Sequence, residues 1–258
     1  VQEPGKITVD LLERYQRHLF HSMKQDGKRL SFHSQYDRLG GVRRYLHWLV
    51  RHRVIPMNPA ASLDPPRVER RLPKAILSAF EAEQILKVPD LSTPRGLRDR
   101  AILETLYATG VRRQELAALK IDDIDLENGR LMVRQGKGKR DRLLPLSERA
   151  CAWIEKYLEE SRFQISRGAD DGSLFISHIG KRMHPEQMTK IVRRSIEAAE
   201  IEKPGACHLF RHTLATLMLE GGADLRYVQA MLVFADTSTT EIYTRVAIGK
   251  LQEALEKS

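Results

Sequence analysis

Residues 108–146 read "ATGVRRQELAALKIDDIDLENGRLMVRQGKGKRDRLLPL". Thr109-Gly110 ends an apolar, helically spaced run, since glycine stops a helix where a left-handed residue is needed. "RRQELAALK" is long enough for one short helix. The following β-type runs are separated by Glu127-Asn128-Gly129 and by Gly136–Gly138. That pattern predicts a small three-stranded antiparallel sheet. The flanking sequence is helical on both sides. Upstream stand "SAFEAEQILKV", with Ser78 as cap, and "LRDRAILETLYAT"; downstream stand "SERACAWIEKYLEESRF", "PEQMTKIVRRSIEAAE" and "CHLFRHTLATLMLEGG". The fold class expected is mainly α with one small three-stranded antiparallel sheet.

The first quarter of the chain differs. Residues 7–25 read as an amphipathic helix closed by Gly27. Residues 31–53 read as one or two more, with Tyr45, Leu46, Trp48 and Leu49 on or near the apolar face. Five prolines (Pro56, Pro59, Pro65, Pro66, Pro73) then break helix. The expected organisation is a helical domain over 1–57, a Pro-rich linker over 58–75 and a larger domain over 76–258.

The chain has 258 residues, 41% hydrophobic and 30% charged, with net charge +9. Residues 1–71 hold fourteen Lys/Arg against seven Asp/Glu, so +7 of the excess lies there. A basic module points to a polyanion, with nucleic acid the default partner, although a merely soluble basic surface would look the same. Arg38, Arg43 and Arg44 are left for solvent or phosphates. No run of about 18 apolar residues marks a membrane span. Cys151 and Cys207 stand far apart without a CxxC, which fits a reduced cytosolic protein and argues against a disulfide framework or zinc site.

Three places can aim positive charge at one phosphate. Arg112 opens the short helix, where the macrodipole slightly disfavours a cation, and Glu115 follows three residues on. Lys137 lies between glycines at a hairpin tip, with Lys139 and Arg140 beside it; a basic solvated turn reads the same way. His208, Arg211 and His212 fall in "HLFRH", with His208 and Arg211 on one helix face, at the start of an apolar helix. Further on, "MLVFADTSTTEIYTR" (231–245) holds Tyr243. Val228, Met231 and Leu232 close one helix, and Asp236, Thr237 and Ser238 are cap types for a second that carries the tyrosine. Two arginine forks match phosphate oxygens, a lysine or histidine can protonate a leaving oxygen, and a tyrosine of ordinary pKa about 10 needs such help to attack.

"ATGVRRQEL", "GKGKRDRLLPL", "HLFRHTLAT" and "TSTTEIYT", in this order and spacing, resemble the tyrosine recombinase (phage integrase) family, nearest its Xer-like members. The likeness extends to "NPA" and "RRLPKAIL" in the linker. It implies a site-specific DNA recombinase with two domains closing on DNA as a C-shaped clamp. Arg112 and Arg211 would bind the scissile phosphate, Lys137 would be the general acid, and His208 would assist proton transfer. Tyr243 would be the nucleophile, forming a 3′-phosphotyrosine link, with Glu115 and His212 as supporting residues. Arg38, Arg43, Arg44, Lys139 and Arg140 are the expected DNA contacts. Neither metal nor cofactor is implied. The partner is double-stranded DNA carrying recombination sites. A homo-oligomer, dimer or tetramer on DNA, would form through the C-terminal helix, whose Ile248, Leu251 and Leu255 share one face. Head-to-tail exchange of that kind closes rings.

Two departures from the family pattern bear on function. Family members carry a helix ahead of the segment matching 7–25, so the N-terminal domain is expected to lack its first helix. Val233-Phe234 stand where the family has Gly-His or Gly-Trp, nine positions before Tyr243. Phenylalanine packs but cannot donate a hydrogen bond, which implies an impaired site. A catalytically silent DNA-binding protein of recombinase ancestry and a type IB topoisomerase-like enzyme are the alternatives.

Overall fold

The computed structural model describes residues 3–67, 75–134, 141–166 and 170–232. The chain divides into two compact units, Val1–Arg70 and Arg71–Ser258.

The first unit is built on two helices. Helix α1 (Val9–His21) begins at Thr8, whose hydroxyl accepts the Leu11 N–H. Helix α2 (Phe32–Arg51) begins at Ser31 and runs unbroken through Gly40-Gly41. Leu12, Leu19, Leu39, Leu46 and Leu49 form the core with Ile55, Ala60 and Leu63. The proline-rich segment therefore starts as part of this unit, because Ala60 and Leu63 are buried in it. Tyr45 and Trp48 depart from the sequence expectation. The buried face of α2 runs through Gln35, Leu39, Leu46 and Leu49, and the two aromatics fall one position off it. They lie exposed, stacked on each other at 6.4 Å, with Trp48 also on His52 at 4.2 Å.

The second unit surrounds one central helix. Helix α3 (Ala79–Lys87) starts in a capping box, in which Glu81 N–H donates to the Ser78 hydroxyl and Ser78 N–H to the Glu81 carboxylate. Helix α4 (Pro94–Thr109) is buried on most sides, and α5 (Arg113–Ala118) follows after a short turn. Strands β1 (Ile124–Asp125), β2 (Arg130–Val133) and β3 (Arg142–Pro145) form the expected antiparallel sheet in sequential order, with Leu131 opposite Leu144. Helix α6 (Glu148–Tyr157) passes through a π-helical turn at Leu158–Arg162 into α7 (Phe163–Ser166). Helices α8 (Pro185–Ala198), α9 (Cys207–Glu220) and α10 (Leu225–Leu232) complete the described part. Helix α4 packs on both α6 and α9. Its buried charges are paired: Glu104 accepts from Arg100 at 2.7 Å and from Arg149 at 2.9 Å, and Arg100 also lies over the Trp153 ring at 4.4 Å. Burying such groups unpaired would cost several kcal/mol. No helix among the described residues is long and apolar enough to cross a membrane.

Candidate active site

The site is organised by the turn between α4 and α5. Gly110 ends α4 in the left-handed region, φ 57°, and donates its N–H to Leu106. A Cβ there would stand 2.8 Å from Leu232 Cδ2 and 3.1 Å from Leu214 Cδ2. Conformation and space thus both call for glycine, and the turn lies directly against α9 and α10.

From that turn Arg112 enters α5 as its N-cap residue. Glu115, in the first turn of the helix, gathers four donors. Its Oε2 accepts from the Arg112 backbone N–H at 2.8 Å and from Arg142 Nη2 at 2.7 Å. Its Oε1 accepts from Arg112 Nη1 and Arg142 Nη1, each at 3.0 Å. Burial by itself would raise the Glu115 carboxyl. Hydrogen bonds from Arg142 and the Arg112 backbone, with the charges of both arginines, overcome it and lower the pKa to about 2.

Arg211 reaches the same turn from α9. It is buried, and its Nη1 donates to the Gly110 carbonyl at 2.7 Å. Its Nη2 donates to the Leu232 carbonyl at the end of α10. The Gly110 acceptor lies at the C-terminus of α4, where the dipole favours a cation. One guanidinium therefore ties three helices together. His208 sits exposed on the first turn of α9, on the Arg211 face. Partial desolvation, then the charges of Arg211, Arg113 and Arg112, push its imidazole below the ordinary value. His212 is half-buried and shifted the same way by desolvation, His208 and Arg211. Two lowered imidazoles favour neutral rings at neutral pH, able to accept a proton.

Arg112, Glu115, His208, Arg211 and His212 are thus brought into one neighbourhood. Lys137, Lys139 and Arg140 fall in 135–140, and Phe234 and Tyr243 in 233–258; both stretches lie outside the described residues, as does the expected C-terminal helix. In the other unit, Arg38 and Arg44 are exposed on α2 and Arg43 is half-buried. Sequence reasoning missed Arg142. The signal was present: alternation from Leu144 puts Arg142 on the inner side of β3, and an inward arginine requires a partner.

Residues 75–249 match the model of the phage integrase family. Tyrosine recombinase XerC 2 of Ralstonia nicotianae is 46% identical over 252 residues, covering 98% of this chain and 72% of that protein. The crystal structure of XerA recombinase resembles this one with TM-score 0.61 and 29% identity, over 99% of this chain and 84% of XerA. A XerH site-specific recombinase, solved bound to palindromic difH substrate as a post-cleavage complex, shares the fold with TM-score 0.74 at 23% identity, over 97% of this chain and 72% of that one. The family match spans most of the chain, and the arginines its motifs predict meet at one turn: this chain belongs to the phage integrase family, as a tyrosine recombinase of the Xer type.

Proposed function

We propose that the protein recombines DNA at specific sites by cutting and rejoining strands through a 3′-phosphotyrosine intermediate. The observation that carries this reading is the meeting of Arg112, His208 and Arg211 beside the α4–α5 turn, where Arg211 also donates to the Leu232 carbonyl of α10; Tyr243 follows α10 in the sequence. Arg112 and Arg211 bind the scissile phosphate and balance the charge that grows on its non-bridging oxygens. The Tyr243 hydroxyl attacks phosphorus, giving its proton to the neutral His208 imidazole. The bond to the 5′ oxygen breaks as the bond to tyrosine forms, and Lys137 protonates the departing oxygen. A 5′ hydroxyl from the partner strand then attacks the phosphotyrosine and releases Tyr243. The energy of the phosphodiester is kept in the intermediate. Copies join head to tail through the C-terminal helix into a dimer or tetramer on the recombination sites.

Phe234 lowers the rate of this chemistry, because it offers no donor to the phosphate as charge develops. Such a donor matters more in the transition state than in the ground state. Replacing Val233→Gly and Phe234→His together should raise single-turnover cleavage at least roughly tenfold, with DNA affinity little changed. Equal rates would make phenylalanine an adapted alternative in an active enzyme.

The function itself is tested with a DNA carrying two recombination sites. Exchange of flanking sequence supports the reading. Relaxation of supercoils without exchange would instead indicate a topoisomerase-like activity. Site-specific binding without any cleavage would indicate a silent DNA-binding protein.

A further inference from the structure

Arg142 opens β3 opposite Val133, the last residue of β2, and Lys137 belongs to the residues that join these two strand ends. The Arg142 side chain is only 10% exposed and lies on α5, where its Nη groups donate to the two oxygens of Glu115 at 3.0 and 2.7 Å. Its Nε is sealed from solvent with no acceptor. A buried donor without an acceptor weakens a fold, and an apolar side chain of similar volume avoids that loss. Stability alone is therefore a poor reason for an arginine here.

Geometry supplies another reason. Apolar burial holds a strand against a helix without direction, so the strand can slide. A two-pronged bond between guanidinium and carboxylate fixes distance and orientation together. The carboxylate is itself fixed, because Glu115 Oε2 also accepts the Arg112 backbone N–H at 2.8 Å in the first turn of α5. The start of β3 is thereby set against the helix that begins at the site. The other strand end is held differently. Arg134, just beyond β2, donates its Nε to the buried Asp123 at 2.6 Å, but the arginine side chain is 61% exposed. Water and salt weaken such a pair. Of these two anchors flanking the segment with Lys137, Arg142 is the dry and directional one.

We propose that Arg142 is a positioning residue for Lys137: its fork on Glu115 sets where the β2–β3 hairpin stands against α5, and so where the lysine delivers its proton. The proposal rests on the reading that Lys137 protonates the departing 5′ oxygen. Arg142 itself touches neither the DNA nor the transferred proton. Loss of the fork should therefore slow a cleavage that needs a proton on the leaving atom and spare one that does not.

The test is single-turnover cleavage of two nicked suicide substrates at saturating protein, for the full chain and its variants. One substrate is ordinary DNA. The other carries sulfur in place of the bridging 5′ oxygen at the scissile phosphate. A thiol is far more acidic than an alcohol, so the sulfur leaves as a thiolate without a proton. Arg142→Gln should cleave the oxygen substrate at least roughly tenfold more slowly than the parent, a fraction of what a general acid supplies, and the sulfur substrate at close to the parental rate. Lys137→Ala, run beside it, should show the same selective defect in larger measure. A purely structural role slows both substrates alike. If Arg142→Gln does not fold, Arg142→Lys takes its place: it keeps the charge, gives up the fork, and should show the selective defect in smaller measure. Equal slowing on both substrates, or a parental rate on the oxygen substrate, overturns the proposal. If Lys137→Ala slows both substrates alike, or neither, the reading of Lys137 has failed, whatever the Arg142 variants do.

Discussion

Glu115 shows what one carboxylate can do when four donors converge on it. It caps α5, holds Arg112 and fastens β3 to the helix through Arg142. The linkage to pH has a definite sign. The folded carboxyl lies at about 2 against an ordinary 4.5, so its stabilisation is present above about pH 4.5 and is lost as pH falls towards 2. In urea titrations from pH 7 to pH 2, Glu115→Gln should be less stable at neutral pH and should show a shallower acid decline than the parent. Parallel declines would mean that Glu115 carries no such linkage.

At the scale of elements, the α4–α5 turn is the hinge of the account. Gly110→Ala forces a left-handed alanine and drives a methyl into Leu232 and Leu214. The expected cost is about 2 kcal/mol, read as a lower melting temperature, with strand cleavage also reduced because Arg211 donates to the Gly110 carbonyl. Unchanged stability would show that α9 and α10 shift without penalty. Much of this scale is legible in the sequence, for physical reasons. Ser78 and Gly110 announce helix ends because cap chemistry is local, and the turn residues Glu127-Asn128-Gly129 mark the first hairpin for the same reason. Burial that depends on a partner element is less legible. Tyr45 and Trp48 read as on or near the apolar face of their helix, but the buried face runs one position away and leaves them exposed. Arg142 hides in a run of basic residues that reads as a solvated turn, and only the register with Leu144 turns it inward. The meeting of Arg112 with His208 and Arg211 joins positions about a hundred residues apart, which ordered motifs suggest and only tertiary structure brings together.

At the scale of the whole molecule, charge and chemistry are unevenly divided. Residues 1–71 carry +7 of the net +9, whereas the arginine and histidine cluster belongs to the second unit. If the first unit supplies much of the affinity through phosphates, DNA binding by the full chain should weaken steeply as salt rises. Residues 76–258 alone should then bind more weakly and with a smaller salt slope; equal affinity and slope would assign the phosphate contacts to the second unit. The central claim is that Tyr243 is the nucleophile brought to these cations. Its most direct test is to trap the protein on a nicked suicide substrate, digest the covalent adduct and identify by mass spectrometry the residue that carries the nucleotide. The account predicts a nucleotide on Tyr243 and no adduct from Tyr243→Phe, which should still bind DNA. An adduct on any other residue, or one that persists in Tyr243→Phe, would contradict it.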